Sequence, residues 1–304
     1  MVVHSMAVEK MQERLAAPMS TVFHWNPRDF DNLVRSCDVD DATPYILRYM
    51  PRGGPTLEAG CGLARFVKYL SDRGFEKVTG VELSEETVTT VNALAPQLEV
   101  RRADVSDLPF NDNSMAGIIS LGVVEHFSEG PQRPLREMLR VLKPGGYAII
   151  TVPCVNAIRK VKYALRIYHL TWHLKGLARK ILGRKPVAGR GHGDRLEHCD
   201  CRFRRWPVFG PFMEYRFTKR EFVAELGQAG FVVVDSAPTN LIDGVYLEFG
   251  KAFVSFRNWA FHPNLFGRML NRALSAVPFF HNHMLLCVVS KQSHATGSPP
   301  TAVG

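Results

Sequence analysis

The sequence predicts an α/β protein, a mostly parallel sheet with helices on both faces. Two observations carry this expectation. From Thr56 to Pro153, short apolar runs alternate with stretches of helical periodicity, which implies parallel strands joined by right-handed crossovers. The composition, 46% hydrophobic and 22% charged over 304 residues, supplies a full core for one large domain or a domain with a substantial insertion.

Each element has its own signal. "TLEA" is a short apolar run ending at a glycine turn, and "LARFVKYLSDRG" places Leu63, Phe66, Val67 and Leu70 at helical spacing before a glycine stop. "KVTGVEL" reads as a strand, followed by "SEETVTTVNAL", a helix with a serine cap and an acidic first turn. "LEVRRAD" is a strand ending in an acid, and "MAGIISLGVVEHF" is a buried strand with its exit loop. "QRPLREMLRVLKPGG" predicts a helix with Leu135, Met138, Leu139 and Leu142 on one face and a Pro-Gly-Gly stop, and "YAIITVP" another buried strand. The alternation breaks between Cys154 and Arg216. It resumes with a capped amphipathic helix, "FTKREFVAELGQAGF", and the strand "FVVVDSA"; after an irregular aromatic-rich segment from Leu241 to Phe280, "HMLLCVVSKQ" reads as a closing strand.

The stretch "LEAGCGLARF", Leu57 to Phe66, carries the first functional signal. In such a sheet, ligands bind at the C-terminal ends of the strands. Glycines there let the backbone approach a ligand, and the helix start supplies free N–H groups. Alone, the loop is equally consistent with a structural strand–helix turn. Glu82 ends the next strand, about twenty residues on, where a carboxylate accepts ribose hydroxyls, and Asp104 ends the third. Three successive strand ends with this chemistry favour a nucleotide-type site.

With these residues in view, the sequence resembles the class I S-adenosylmethionine-dependent methyltransferases, in particular the methyltransferase type 11 group. The resemblance rests on "LEAGCGLARF", "GVELS", "ADVSDLPFNDNSMAGIISLGVVEHF", "REMLRVLKPGGYAIITVP" and, later, "YRFTKREFVAELGQAGF". It implies a Rossmann-like, mostly parallel seven-stranded sheet and S-adenosyl-L-methionine as cofactor. By the same resemblance, Gly60, Gly62 and Gly122 lie beside the methionine part and Glu58 near its amino group. Glu82 holds the ribose with Leu83 against the adenine, Asp104 accepts from the adenine amine, and Val105 supplies backbone near the ring. NAD is the rival ligand, disfavoured by the lack of a G-x-G-x-x-G pattern. The family's third loop glycine is Ala64 here, and alanine is the better residue inside a helix start.

Methyl transfer from a sulfonium needs position and exclusion of water, with a base where the acceptor is a hydroxyl or carbon acid. His126, just after the fourth strand, is the candidate catalytic residue, with Glu125 beside it to orient it or to line the cofactor site. His24 and Trp25 are lid candidates. Cys154, at the end of the fifth strand, reads as a buried small residue rather than a nucleophile, and "HGDRLEHCDC" lacks a C-x-x-C spacing for zinc, so no metal is expected. The N/D-P-P-Y signature of exocyclic-amine methylases is absent.

The formal charge of +9 is unevenly placed. Between Cys154 and Arg220, 17 Lys and Arg face 4 Asp and Glu, a net of +13, leaving −4 for the remainder. Ile158, Val161, Leu165, Tyr168 and Trp172 recur at helical spacing beside a basic stripe of Arg159, Lys162, Arg166 and His173. Such a helix suits an anionic membrane surface, reached through residues 155–190; a cap packed on the core with a solvated basic face competes with that reading, and nucleic acid is the third and weakest reading.

The expected organisation is a helical lid segment over 1–50, a cofactor-binding core over 51–153 and a basic helical insertion over 154–216. The rest of the core, with a helical aromatic insertion, spans 217–292, and a disordered tail 293–304. Scattered cysteines and no secretory apolar stretch predict a cytoplasmic protein, peripheral on the inner membrane face if the insertion docks there. The expected activity is O- or C-methylation of a small or lipid-linked acceptor. The alternatives are an RNA methyltransferase gripping through the insertion and a non-catalytic cofactor-fold binding protein.

Overall fold

A computed structural model describes residues 25–165, 203–204 and 214–292. Its central sheet has seven strands: β1 (Thr56–Ala59), β2 (Val78–Glu82), β3 (Glu99–Arg102), β4 (Met115–Leu121), β5 (Leu142–Pro153), β8 (Val232–Thr239) and β11 (Met284–Ser290). Their order is β3-β2-β1-β4-β5-β11-β8. The first five run parallel, and β11 enters between β5 and β8 antiparallel to both. A second small ladder pairs β6 (Phe203–Arg204) with β7 (Glu214–Tyr215), and a hairpin joins β9 (Val254–Arg257) to β10 (Ala260–Pro263).

The strands alternate their side chains between two cores, as a two-residue period requires. Ile119, Ile149, Leu286 and Val288 face one side. There they meet Phe30 and Leu33 of α1 (Phe30–Ser36), Ile46 of α2 (Thr43–Tyr49), Phe66 and Leu70 of α3 (Arg65–Ser71), and Val88 and Val91 of α4 (Glu85–Leu94). Ile118, Ala148, Ile150, Leu285 and Cys287 face the other side. They meet Leu135 and Met138 of α5 (Gln132–Val141), together with Phe222 and Leu226 of α7 (Lys219–Ala229). The helices α1 and α2 of the N-terminal segment are therefore a wall of the core.

Local signals explain the boundaries. Thr218 and Glu221 form a reciprocal capping box on α7, and Gly230 ends that helix in the left-handed conformation. Ser84 caps α4 through the Thr87 amide. The helix α5 stops at Val141, and Leu142 is already extended (φ −71°, ψ 134°), so Leu142 opens β5 instead of closing the helix face. Pro144 disfavours helix at the residue before it, which ends the turn early.

The segment from Leu241 to Phe280 is ordered into α8 (Leu241–Phe249), the β9–β10 hairpin and α9 (Leu265–Leu274). The hairpin turns through Asn258 and Trp259, both at positive φ (50° and 59°), the two-residue geometry that matches strand twist. Trp259 holds a conformation usually left to glycine.

The insertion after β5 begins with α6 (Ala157–Ala164), and here the expected orientation is reversed. Asn156 caps the helix through the Arg159 amide. Arg159 turns inward and its Nε lies 2.8 Å from Glu248 Oε1 on α8, with side chains 3% and 2% exposed. Its Nη1 donates to the Cys154 carbonyl at 2.6 Å, and Nη2 lies 3.1 Å from His283 Nδ1. Lys162 pairs with the same carboxylate at 2.9 Å. Burial alone would raise Glu248, but the two cations hold its carboxyl below the usual range. Lys160, Val161, Ala164 and Leu165 are exposed. Arg159 and Lys162 thus do not form an outward basic stripe, because a buried acid from a distant helix claims both. Arg166, Tyr168, Trp172, His173 and the His192–Cys201 cluster lie outside the described residues, as does His24.

Candidate functional site

A cavity of about 260 Å³ opens at the C-terminal ends of β1, β2 and β4, beyond β3. Its walls include Gly60, Gly62, Glu82, Leu83, Asp104, Val105, Gly122 and His126, so seven of the eight expected cofactor residues and the expected catalytic histidine share one space. Trp25, Ala103, Leu121, Val123 and Phe127 complete it.

The glycine loop is positioned by backbone hydrogen bonds. The Gly60 and Cys61 amides both donate to the Val81 carbonyl at 2.9 Å, tying the loop after β1 to the end of β2. Gly60 and Gly62 lie at φ 78° and 53°, where side chains are strained, and a Cβ would fall 2.6 Å from Val123 Cγ2 or 2.9 Å from the Trp25 indole. Neither position tolerates a side chain without displacing a cavity wall. Ala64 adopts φ 57°, ψ 37°, left-handed and just before α3. The expectation that alanine suits this site is therefore wrong in its reason: Ala64 occupies the glycine conformation itself and not a helical one.

The two acids are set by backbone donors. Glu82 accepts from the Gly62 amide through Oε2 at 3.1 Å and from the Ser84 amide through Oε1 at 2.9 Å. Each oxygen retains a lone pair for a hydroxyl group. Asp104 accepts the Ser106 amide at 2.8 Å, which fixes its carboxylate at the cavity edge. A glycine cradle with a carboxylate at each of the next two strand ends fits a ligand carrying a ribose and an amine-bearing ring.

Glu58 departs from the expected arrangement. It is buried behind the loop, does not line the cavity, and accepts the Val67 amide at the start of α3 at 3.0 Å. Burial pushes its carboxyl up to about 8, against the lowering influence of Arg65 and of the Val67 and Phe66 amides. Through the Val67 amide it supports the loop from beneath.

His126 ends the 3-10 turn Val124–His126, and its Nε2 lies 3.8 Å from Glu125 Oε1. Glu125 is fully buried, and its Oε2 has no hydrogen-bond partner among the described residues. Burial first, and then the neighbouring Glu214, push its carboxyl well above the ordinary value. Cys154 is buried, with its thiol pushed up by burial, and does not line the cavity. Among the described residues no cluster of His, Cys, Asp and Glu is placed to hold a metal.

Trp25 was legible in sequence only as a lid candidate. Its indole lies over Gly62, with the Trp259 ring 5.7 Å behind it. Val123 and Phe127 carried no sequence signal beyond lying beside "VEH".

Residues 57–150 match the methyltransferase-domain family of type 11. A probable S-adenosylmethionine-dependent methyltransferase of Mycolicibacterium smegmatis is 33% identical over 101 residues, 33% of this chain and 38% of that protein. The probable tRNA methyltransferase 9B of Mus musculus is 27% identical over 235 residues, 74% of this chain and 50% of that protein. A demethylmenaquinone methyltransferase of Chlorobaculum tepidum is 31% identical over 106 residues, 34% of this chain and 43% of that protein. The chain spans half or less of the length of each of these relatives. The same fold occurs in an S-adenosylmethionine-dependent methyltransferase from Mesorhizobium loti (TM-score 0.52, 15% identity, covering 84% of this chain and 100% of that one). It occurs again in a complex of the Haloferax volcanii Trm112 activator and a putative methyltransferase (TM-score 0.54, 18% identity, 88% and 95%). With the strand order, the glycine loop and the paired acids already in place, the matched span identifies the chain as carrying a class I methyltransferase domain, whose cofactor is S-adenosylmethionine.

Proposed function

We propose that the protein transfers a methyl group to oxygen or carbon of a small or lipid-linked acceptor. One observation carries the reading: the glycine loop, Glu82, Asp104 and His126 line a single cavity walled by Trp25, Val123 and Phe127. Bound S-adenosylmethionine supplies an activated methyl on a sulfonium. The chain's own residues do the rest. Glu82 and Asp104 orient the ligand through charge-assisted hydrogen bonds. Trp25 and Phe127 exclude water from the site. His126, on the cavity wall, takes the acceptor proton, and Glu125 beside it, its Oε1 3.8 Å from the imidazole, orients the ring. An apolar acceptor suits the aromatic walls, and one relative is named for such an acceptor, demethylmenaquinone.

A second reading is methylation of RNA. Its specific support is the probable tRNA methyltransferase, the cited curated relative aligned with the largest share of this chain, together with the +13 of the segment from Cys154 to Arg220. Incubation with methyl-labelled cofactor and fractionated cell extract separates the two. Label in the lipid or small-molecule fraction supports the first reading. Label in RNA supports the second, and cofactor binding with no labelled product in any fraction leaves a non-catalytic binding protein.

A further inference from the structure

The C-terminal quarter of the chain has an asymmetry that the methyltransferase core does not explain. From Gly250 to Gly304 there is no Asp or Glu, while Lys251, Arg257, Arg268, Arg272 and Lys291 remain. Within this stretch α9 packs by one face only. Gly267 is buried, and a side chain there would collide with the Phe253 carbonyl. Asn264 pins the same end of the helix, accepting from the Gly267 amide and donating to the Ala252 carbonyl, both at 2.8 Å.

The opposite face is exposed and apolar. Leu265 and Met269, one turn apart, are 59% and 61% exposed, and Phe266 beside them is 69% exposed. Arg268 and Arg272, also one turn apart, flank that stripe and are themselves exposed. The arrangement is the inverse of an ordinary surface helix, which buries its apolar face and shows its charges. Phe256 and Trp259 of the adjoining hairpin are also exposed. The hairpin and α9 thus expose large apolar side chains beside Arg268 and Arg272, in a stretch of sequence without an acid.

We propose that α9 is an interfacial membrane-docking helix: Leu265, Phe266 and Met269 enter the acyl boundary of an anionic phospholipid bilayer, and Arg268 and Arg272 meet its headgroups. Charge complementarity selects this occupant. A bilayer accepts large aliphatic side chains and arginines on one helix face, whereas RNA rewards the arginines and leaves the apolar side chains without partners. No described helix is long and apolar enough to cross a membrane, so the contact is one of lying on the surface. The inference moves the membrane-facing surface away from α6, whose Arg159 and Lys162 are committed to Glu248, and it stands independently of the acceptor's identity.

The test is co-sedimentation of the full chain with vesicles of phosphatidylcholine alone and of phosphatidylcholine mixed equally with phosphatidylglycerol. Binding is expected to the mixed vesicles, weakening with salt as the surface charge is screened. R268Q/R272Q should lower the partition coefficient about thirtyfold, R268K/R272K should restore most of it, and F266S/M269S should abolish co-sedimentation. All three variants alter exposed side chains, so each should keep the wild-type unfolding midpoint and cofactor affinity, which separates a docking defect from misfolding. Equal binding to both vesicle types, or none to either, overturns the proposal. So does a wild-type dimer that F266S/M269S converts to monomer without vesicle binding, or an RNA gel shift lost in R268Q/R272Q but kept in F266S/M269S.

Discussion

The Gly62 amide donates to Glu82 Oε2 at 3.1 Å, so the acid that ends β2 holds the glycine loop that follows β1. The acid at the end of β2 and the glycine loop after β1 are one hydrogen-bonded unit.

Glu82→Ala therefore has two effects. The loop loses an anchor and the ribose loses its acceptor. Cofactor affinity should fall by about 1.5–3 kcal/mol, the range for a hydrogen bond to a charged group. Isothermal titration calorimetry with S-adenosylhomocysteine measures this. An unchanged affinity would remove Glu82 from the binding site.

His126→Ala should separate catalysis from binding. Positioned general bases contribute about 100- to 10,000-fold, so turnover should drop on that scale while cofactor affinity changes little. Glu125→Gln, which keeps the shape and cannot ionise, should preserve most of the turnover and its pH profile. Equal loss of turnover and affinity in His126→Ala would make the histidine structural.

Glu58 links stability to pH. An unfolded glutamate titrates near 4.5 and the folded one at about 8. Between those values the folded chain keeps a proton that the unfolded chain has lost, so stability falls as pH rises, by up to about 1.4 kcal/mol per pH unit. Glu58→Gln retains an acceptor for the Val67 amide and removes the titration. Measured by urea unfolding, the stability of the variant relative to wild type should climb from pH 4.5 to 8 and level off above. Parallel curves for the two proteins would assign the pH dependence to other groups.

Glu248→Ala should be the most damaging of these changes. It leaves Arg159 buried without its counter-ion and removes the carboxylate paired with Lys162. Breaking a buried pair from one side costs about 3–5 kcal/mol. Chemical denaturation should show that loss, and a change below about 1 kcal/mol would mean that water reaches the guanidinium.

Ala64 offers a test of backbone strain. Its left-handed conformation costs alanine about 1–2 kcal/mol. Ala64→Gly relieves this, but frees the unfolded chain by about 0.4–1 kcal/mol and removes a buried methyl worth about 0.8 kcal/mol. The result should lie within about 1 kcal/mol of wild type. Ala64→Val adds bulk to a fully buried site and should cost more than about 2 kcal/mol. A well-tolerated valine would contradict the left-handed assignment.

Much of this architecture was legible because it follows short-range rules. Period-two and helical spacings placed the parallel strands and their helices, and acids at strand ends marked the cavity. What escaped depends on partners distant in sequence. Arg159 looks like a solvated cation until Glu248, 89 residues on, is brought against it. Glu58 stands in the glycine-loop motif, yet only the three-dimensional path of α3 shows that its carboxylate serves the Val67 amide. Nothing in an alanine announces positive φ, so Ala64 passed as a helix starter. Trp25 has no motif of its own, and its place over Gly62 arises from the packing of α1 and α3. The hairpin at Asn258–Trp259 was missed because its turn lacks the glycine that usually marks one.

The insertion of β11 between β5 and β8 has a consequence for biosynthesis. During translation the strands from β1 to β5 can assemble as they emerge, but β8 has no neighbour in the sheet until β11 arrives. Residues 232–239 must therefore wait on the nascent chain, their edge unpaired, until Ser290 has left the ribosome. The sheet is complete only when this last hydrophobic strand has paired with both β5 and β8. Such non-local closure is slow relative to local pairing, which makes the interval between synthesis of β8 and of β11 the period in which a chaperone would matter most.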